Sequence, residues 1–529
     1  MSRAISPVLI NGNWQSASYS SVFQATNPAT GEKLPQLFPV SEWADLETAL
    51  QATTKAQAAL ATLPPERRAH FLEQYAERIA QCSKELAALA SAETGLAEES
   101  RLLNVEIPRT TDQLKQAAQA VRDREWMQAT IDSKNNLRSM LIPIGPVVIF
   151  GPNNFPFAYN SVSGGDFATA IAAGNAVIAK GHPLHPGTTA MLAGLCFSAL
   201  RETGLPPETV QVIYHLPPQL GIQLVQDSRV GAVAFTGSRR GGLALKMAAD
   251  AVGKPIYLEM GSLNPVVILP GALAERFDVI FNTVSSSCLL GMGQFCTNPG
   301  LLFLIDQPAS RQFIEKMAVH YRQSPTMPLL SKDVQIQLQE SIRAWTEAGA
   351  QLQAGGHPVD TKGISFENTL CVVNSDEFRK KREQLQKEAF GNATLVVMHQ
   401  DQHDLASTIH CLEGQLAGSI FSHSQTDDEE AYRLLAPLLR QKVGRLLNDK
   451  MPTGVLVSAA QNHGGPYPAT GHPFFTAVGM PGAIRRFAML ACYDNVRLHR
   501  LPLELQNRNP TGTMLRRIDG TWTNASIES

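Results

Sequence analysis

Short apolar segments alternate with helical segments between residues 140 and 237, and short connections join them. The apolar segments are 140–151, 176–180, 210–214 and 231–236, and the helical segments between them lie near 166–173, 186–202 and 220–226. This alternation predicts strand–helix–strand units and therefore a parallel sheet with helices on both faces. Such sheets bind ligands, often nucleotides, at the carboxyl ends of their strands.

A similar alternation returns in the second half of the chain. A new apolar run at 265–269 begins it, and strands and helices then follow one another to about residue 484. A chain of 529 residues is also too long for one hydrophobic core, so two or three domains are expected. We therefore predict an α/β fold with two doubly wound parallel domains.

The N-terminal part of the chain has a different pattern. Asn11-Gly12 lies between apolar residues, which is the strongest short signal for a β-hairpin. From residue 41 to about 125, apolar residues recur every three or four positions, as they do in amphipathic helices. The sequence therefore predicts a hairpin followed by helices.

The composition limits the class of function. A net charge of −2 provides no basic surface for nucleic acid. No apolar run reaches the roughly 18 residues of a membrane helix, and the first residues lack the apolar core of a signal peptide. The seven cysteines are scattered without CxxC spacing, so neither a disulfide framework nor a metal site is expected. We expect a cytoplasmic protein that acts on a small molecule, with no nucleic acid, membrane or metal partner.

Three residues in glycine- or proline-rich turns indicate covalent chemistry. Cys296 lies in the segment 291–300, and Glu259 lies in another glycine-rich turn 37 residues earlier. A thiol can capture a carbonyl carbon, and a carboxylate can activate the water that hydrolyses the adduct. Asn154 follows a predicted strand, where a fixed amide can donate to an oxyanion. Taken alone, a cysteine is more often a small buried hydrophobic residue, but together these residues suggest oxidation of an aldehyde.

Two further features are suited to a nucleotide. The turn from Gly237 through Ser238 to Gly242 follows a strand and opens a helix, so its backbone N–H groups can face an anion. It differs from the usual G-x-G-x-x-G dinucleotide pattern. Lys180 ends the apolar strand 176–180, where its ammonium group would project at the same edge of the sheet. Each feature is also common as a purely structural element.

The remaining candidates carry weaker signals. Glu388 and Phe390 lie at a turn, where a carboxylate can accept hydrogen bonds from ribose hydroxyls. The loop 463–470 is rich in glycine and proline, and we interpret its His463 as a polar residue of a structural loop. The sequence contains no G-x-S-x-G, H-E-x-x-H or P-loop lysine motif, which removes the main support for a serine hydrolase, a zinc protease or a P-loop NTPase.

Taken in chain order, these pieces resemble the aldehyde dehydrogenase superfamily from about residue 8 to 500. The similar segments are the early turn 27–32, the oxyanion-hole segment 154–156, the ribose-binding Lys180, the pyrophosphate turn 237–242, the base segment 258–261, the nucleophile segment 293–296 and the nicotinamide-ribose segment 388–391. Seven segments in one order are far more specific than any single motif.

Several departures from the common family pattern narrow the resemblance. Asn153 replaces the usual Trp, Lys180 is followed by Gly-His-Pro, and the loop 463–470 is unusual. These features are similar to the 2-oxoglutarate semialdehyde (2,5-dioxopentanoate) dehydrogenases and the related bacterial fatty-aldehyde dehydrogenases, which implies a bacterial origin. NAD-preferring relatives often carry a Glu where this chain has Pro183, so NADP is predicted, with NAD possible as well. The loop 215–219 supplies no arginine for the 2′-phosphate.

The resemblance also implies a mechanism. The Cys296 thiolate would attack the aldehyde while Asn154 holds the oxyanion, hydride would pass to the cofactor, and Glu259 would activate water to hydrolyse the thioester. Phe155 and Phe475 are predicted to line the substrate pocket. The predicted reaction is NAD(P)-dependent oxidation of an aldehyde to an acid, with 2-oxoglutarate semialdehyde as the first substrate and medium- or long-chain aliphatic aldehydes as the alternative.

Two other readings of the same residues remain open. An acylating dehydrogenase passes its thioester to coenzyme A and does not need a water-activating carboxylate, so Glu259 argues against it. A catalytically inactive binding or structural member would have lost Cys296, Glu259 or Asn154, and the chain has all three. No arginine stands out near the thiol as a partner for a substrate carboxylate.

The resemblance finally implies a division of the chain. Residues 1–125 and 143–262 would form a cofactor-binding domain, and residues 263–490 a catalytic domain. Residues 126–142 and 491–529 would form a β-strand arm that pairs with a second subunit, so we expect a homodimer or homotetramer.

Overall fold

The computed structural model describes residues 4–528 of the chain. Its strands are β1 (Val8–Ile10), β2 (Asn13–Gln15), β3 (Tyr19–Phe23), β4 (Phe38–Ser41), β5 (Thr130–Asp132), β6 (Leu137–Pro143), β7 (Val147–Phe150), β8 (Val177–Lys180), β9 (Val210–Ile213), β10 (Ala232–Thr236), β11 (Ile256–Glu259), β12 (Val266–Ile268), β13 (Leu301–Ile305), β14 (Gln351–Ala354), β15 (Thr369–Asn374), β16 (Ala393–His399), β17 (Gln415–Phe421), β18 (Val443–Asn448), β19 (Ala488–Asp494), β20 (Arg516–Ile518) and β21 (Thr521–Thr523).

The α-helices cover the sheets. They are α1 (Trp43–Leu60), α2 (Pro65–Gln81), α3 (Ser83–Thr94), α4 (Ile107–Asp123), α5 (Gly165–Ala173), α6 (Pro186–Thr203), α7 (Pro218–Gln226), α8 (Arg239–Asp250), α9 (Pro270–Leu289), α10 (Pro308–Gln323), α11 (Lys332–Glu347), α12 (Ser375–Lys380), α13 (Arg382–Leu385), α14 (Gln402–His410) and α15 (Glu429–Lys442). A π-helix spans Glu98–Glu106, and shorter 3₁₀ turns lie at Glu125–Met127, Pro207–Thr209, Leu290–Gly293, Gly482–Phe487, Leu498–Arg500 and Leu503–Leu505.

The first large sheet has the strand order β11-β10-β7-β8-β9-β1-β2. Its five strands from β7 to β11 are parallel, and the hairpin β1–β2 adds an antiparallel edge. Val147 to Ile149 are fully buried in β7, as expected for a sheet covered on both faces. Asn11 and Gly12 both have positive φ, at 53° and 69°, as a type I′ hairpin turn requires. The predicted parallel sheet and the predicted hairpin are both confirmed.

The second large sheet repeats this architecture in the order β14-β15-β16-β13-β12-β17-β18. Six strands are parallel, and β14 is an antiparallel edge. Its first central strand, β12, lies within the apolar run 265–269 that begins the second alternation in the sequence. The structure therefore contains two parallel α/β units, as predicted.

A third sheet joins distant parts of the chain in the order β19-β6-β5-β20-β21. It takes strands from the predicted arm segments 126–142 and 491–529, although β19 begins at Ala488 and β6 ends at Pro143. The domain limits given by the sequence remain a prediction. None of the helices in residues 4–528 combines the length and apolar character needed to cross a membrane.

The two large sheets meet where the first sheet ends and the second begins. Glu259, the last residue of β11, pairs with Thr470 of the loop 463–470, and the Met260 N–H donates to the Ala469 carbonyl at 2.9 Å. The chain then crosses into β12 within a few residues. The carboxyl ends of β7, β10 and β11 thus face the second unit, and the residues at these ends line a cleft between the two units.

Candidate active site

Cys296 follows a turn whose residues adopt left-handed backbone conformations, which favour glycine. Gly291, Met292 and Gly293 all have positive φ, between 55° and 65°, and a Cβ atom on Gly293 would collide with the Gly391 carbonyl. The side chain of Asn264 donates to the Cys296 carbonyl at 2.9 Å and fixes the far side of the turn. Loop geometry therefore holds the thiol at the cleft, where it is partly exposed.

The imidazole of His463 lies between the Cys296 thiol and the Glu259 carboxylate and contacts both. His463 Nε2 lies 2.8 Å from Glu259 Oε1 and 3.6 Å from Cys296 Sγ, and both His463 and Glu259 are almost fully buried. Glu259 Oε2 is buried without a hydrogen-bond partner in the described chain, so one carboxylate oxygen is free to accept a proton from water. The sequence does not predict this role of His463, because its loop is far from both partners in sequence and the composition of the loop indicates only a rigid turn.

Burial and charge set the protonation of this group. Burial raises the pKa of the Cys296 thiol well above its ordinary value, and the nearby Glu259 charge raises it further. Burial also acts to raise the pKa of Glu259, but the charge interaction and hydrogen bond with His463, with smaller contributions from Cys296 and Arg109, bring it below its ordinary value. At rest the thiol is therefore protonated and the carboxylate is ionised, with the imidazole between them as a path for the proton.

Asn154 lies beside the thiol on the turn that follows β7. Its side-chain Nδ2 donates to the Gln294 carbonyl at 3.0 Å, which fixes the amide against the segment that carries Cys296. An amide has two N–H bonds, so the second remains free to donate. Asn154, Glu259 and Cys296 line one cavity of about 120 Å³, so three side chains from separate segments meet.

Part of the predicted nucleotide turn borders the same cavity: Gly237 and Ser238 line it, whereas Gly242 and Lys180 lie outside its lining. Thr236 ends β10, and Ser238 caps α8 by accepting a hydrogen bond from the Gly241 N–H at 3.3 Å. A Cβ atom on Gly237 would lie 2.9 Å from the Phe235 ring, and one on Gly242 would lie 3.0 Å from the Met260 sulfur. The turn therefore requires small residues and opens the amino end of α8 towards the cleft, where the dipole favours an anion.

Glu388 and Phe390 close the cavity from the second unit. The Ser262 N–H donates to Glu388 Oε1 at 3.1 Å, and burial raises the pKa of Glu388 to about 7. A Cβ atom on Gly261 would collide with this carboxylate, so glycine is needed for its close approach. The donors and acceptors around the cavity suit the pyrophosphate and ribose of a nicotinamide dinucleotide.

Lys180 ends β8 beside the imidazoles of His182, His185 and His215, and within residues 4–528 no carboxylate influences its pKa. His182 and His185 lie with ring centroids 5.6 Å apart, and His185 Nε2 contacts the Pro152 carbonyl at 2.9 Å. Burial lowers the pKa of Lys180 to about 8, and burial followed by the Lys180 charge lowers the pKa of His215 to about 4. In the described chain, the Nδ1 atoms of His185 and His215 are buried without a partner. This group of polar nitrogens is suited to an anion.

A second cavity, of about 370 Å³, opens on the thiol from the other side. Phe155 lies in its wall, whereas Phe475 lies outside it and packs edge-on against Tyr257 at 5.2 Å. The structure thus brings only one of the two predicted substrate residues to this cavity. Arg101 and Arg109 also line it, and no sequence motif marks either arginine.

The thiol, imidazole and carboxylate could also hold a metal ion. One ligand atom each from Glu259, Cys296 and His463 lies within 4.8 Å of the others. This is the donor set that zinc prefers. The sequence expectation of no metal site rested on the absence of paired cysteines, whereas these ligands come from three distant segments. An ion held here would occupy the sulfur that the chemistry needs.

Sequence and structure comparisons define the class of protein. The profile of the "Aldehyde dehydrogenase family" matches residues 14–456, and the chain belongs to this family. It is an NAD(P)-dependent aldehyde dehydrogenase. The NAD⁺ complex of an aldehyde dehydrogenase from Bacillus cereus shares the fold with a TM-score of 0.80 at 20% identity, covering 93% of this chain and 96% of that one.

More similar relatives have more specific names. The alpha-ketoglutaric semialdehyde dehydrogenase 2 of Azospirillum brasilense is 37% identical over 93% of this chain and 95% of its own length. The alpha-ketoglutaric semialdehyde dehydrogenase of Acinetobacter baylyi is 32% identical over 97% of this chain and 98% of its own length. Alpha-ketoglutaric semialdehyde is another name for 2-oxoglutarate semialdehyde, so these names agree with the substrate class suggested by the sequence motifs.

Proposed function

We propose that this enzyme oxidises 2-oxoglutarate semialdehyde to 2-oxoglutarate, with NADP as its preferred cofactor. The observation that carries the proposal is the name shared by the two relatives, which match the chain at 37% and 32% identity over nearly its whole length. The cavity in front of the thiol supports it, because cationic side chains in the wall suit an aldehyde with a distal carboxylate.

The first chemical step joins substrate and thiol. The Cys296 sulfur bonds to the aldehyde carbon while its proton passes to the His463–Glu259 pair, and the carbonyl oxygen becomes an oxyanion. The free N–H of the Asn154 amide and the backbone N–H of Cys296 donate to that oxygen. A nicotinamide cofactor held by Gly237, Ser238 and Glu388 would supply the acceptor for the substrate hydride, and loss of that hydride leaves the substrate as a thioester on Cys296.

Hydrolysis completes the reaction. Glu259 takes a proton from water through its unpartnered oxygen, and the hydroxide formed attacks the thioester carbon. The carbon–sulfur bond breaks, the acid leaves, and the sulfur regains the proton that it gave to the His463–Glu259 pair. The second proton, which Glu259 took from water, is released to solvent. Because Glu259 is kept ionised by His463, it is ready as a base at neutral pH. This assignment favours hydrolysis over transfer to coenzyme A.

The preference for NADP is supported by the surroundings of Lys180. No carboxylate of the described chain is close enough to raise its pKa, and Pro183 leaves no acidic side chain to repel a 2′-phosphate. Lys180→Met should weaken NADPH binding about tenfold and NADH binding much less, since a charge-assisted contact is lost only with the phosphate. Titration by nucleotide fluorescence measures both. Equal weakening of the two nucleotides would contradict the assignment.

We also propose a homodimer or homotetramer in a bacterial cytoplasm. The scattered cysteines, which suit a reducing compartment, support this location, and the free apolar edge of the third sheet supports assembly.

The substrate assignment is tested by direct comparison. We expect the kcat/KM for 2-oxoglutarate semialdehyde with NADP to exceed that for hexanal by at least about tenfold, because a bound carboxylate adds a charged hydrogen bond. The same assay with and without coenzyme A separates hydrolysis from acyl transfer. A preference for hexanal would favour the aliphatic alternative, for which the aromatic wall around Phe155 and Phe295 is suited. No NADPH formation from any aldehyde would point to an inactive member.

A further inference from the structure

Two arginines line the cavity that opens on the thiol, but only one has a carboxylate partner. Arg101 Nη1 lies 2.8 Å from Glu106 Oε2, and its guanidinium stacks on the Phe155 ring at 4.4 Å and on the Phe295 ring at 5.0 Å. The other oxygen of Glu106 accepts hydrogen bonds from the backbone of the loop after β7. The charge of Arg101 is therefore balanced, and its role is to hold the cavity wall.

Arg109 lies two residues after the start of α4 and has no such partner. No carboxylate oxygen within residues 4–528 lies within 4.0 Å of its guanidinium, and its Nε is buried without a hydrogen-bond acceptor. Its Nη2 donates to the Tyr159 hydroxyl at 3.1 Å, and the guanidinium lies 5.3 Å from the centre of the Tyr159 ring. A partly buried cation without a counter-ion is costly, and a bound anion would offset that cost.

Tyr159 adds a second donor at the same place. Burial raises the pKa of its phenol well above the ordinary value, so the hydroxyl keeps its proton. Its oxygen already accepts a hydrogen bond from Arg109, which leaves the O–H free to donate. A guanidinium and a phenol O–H side by side match a carboxylate that carries an oxo group on the next carbon.

We propose that Arg109 and Tyr159 bind the 2-oxo-carboxylate end of the substrate while its aldehyde end lies at Cys296, and that this pair selects oxo-acid semialdehydes over aliphatic aldehydes. All three side chains line the same cavity, so one short ligand can contact them together. Arg109 would receive the carboxylate, and Tyr159 would donate to the 2-oxo oxygen. This inference rests on the proposed function and names the residues that would determine its specificity.

The test compares three aldehydes of one chain length: 2-oxoglutarate semialdehyde, glutarate semialdehyde and pentanal. Arg109→Leu should lower kcat/KM for both acids about 10- to 100-fold, mainly through KM. The kcat/KM for pentanal should change much less, since it is affected only through the smaller influence of the Arg109 charge on Cys296 and Glu259. Arg109→Lys should restore part of the loss. Tyr159→Phe should affect only the oxo acid, by a smaller factor. Lys115→Leu, which removes an exposed cation from the same helix, should change none of these values.

A binding measurement separates recognition from a merely structural effect. Glutarate should inhibit the wild-type enzyme competitively with the aldehyde, and Arg109→Leu should lose this inhibition while its activity with pentanal shows that it is folded. If the wild type prefers the oxo acid and Arg109→Leu keeps that preference, the inference would be overturned, but the proposed function would stand. A preference for glutarate semialdehyde that Arg109→Leu abolishes would overturn the proposed substrate and support the role of Arg109. A wild-type enzyme that prefers pentanal would overturn both.

Discussion

At the scale of single residues, the site depends on the contacts of His463, which no sequence motif predicts. His463 touches both the thiol and the carboxylate, and this contact keeps Glu259 ionised despite its burial. Without His463, burial would be the largest influence on the carboxylate and would favour its protonated form. The base of the proposed hydrolysis thus depends on a residue that the sequence assigns only to a loop.

His463→Leu should therefore change the pH dependence of the enzyme. In the wild type, the pKa of Glu259 lies below its ordinary value of 4.5, so the ionised base persists as the pH falls through that value. In the variant the pKa of Glu259 rises, so the acidic limb of the kcat profile should move to higher pH and the rate at neutral pH should fall about tenfold or more. Profiles between pH 5 and 9 measure both effects. An acidic limb at the same pH in both enzymes would show that His463 does not control the base.

At the scale of elements, regular alternation was predictable and the close approach of loops was not. The strands of both large sheets and the hairpin at Asn11 follow from local patterns, because strand burial and turn chemistry are local. Lys180, at the end of β8, could be placed for the same reason, whereas Glu259 was expected in a turn and is the last residue of β11. His463 and Arg109 could not be placed, because their positions depend on long-range packing of the loop 463–470 and of α4, which no local pattern encodes.

The turn before the thiol offers a test of such loop packing. Gly293→Ala should strain the backbone and also push the new methyl group into the Gly391 carbonyl. Gly253→Ala is the matched control, since its φ of 69° is close to the 65° of Gly293 but nothing lies within 4 Å of the added atom. We expect Gly253→Ala to cost about 1 kcal/mol and Gly293→Ala clearly more, with loss of activity. Denaturation midpoints measure the difference in stability. Equal midpoints would show that the turn accommodates the methyl group without loss of stability.

At the scale of the whole molecule, one edge strand of the third sheet has no further partner strand within residues 4–528. β19 lies at that edge, and it exposes Met489 at 47% and Leu490 at 69%. An edge strand with exposed apolar side chains is prone to pair with another chain unless it is covered. A second subunit would cover it, which agrees with the strand arm that the family resemblance implies.

Leu490→Asp should reduce the assembled fraction of the protein, since it places a charge at the proposed contact. Light scattering after gel filtration at several concentrations measures the mass. Val319→Asp is the control, because Val319 is also exposed, at 44%, but lies on α10, which packs against α9 and against the strands β14 and β15 at the edge of the second sheet. A wild-type protein that remains a monomer, or equal loss of assembly in the two variants, would contradict this role of the edge.

The central claim is that Cys296 carries the substrate as a thioester that Glu259 hydrolyses. Glu259→Gln should form the adduct but release it slowly, so rapid quenching followed by peptide mass spectrometry should find the acyl group on Cys296 and a matching burst of NADPH. The fully buried Cys288, eight residues earlier, serves as the internal control and should stay unmodified. An unmodified Cys296 in the presence of an NADPH burst, or an acyl group on another cysteine, would contradict the account.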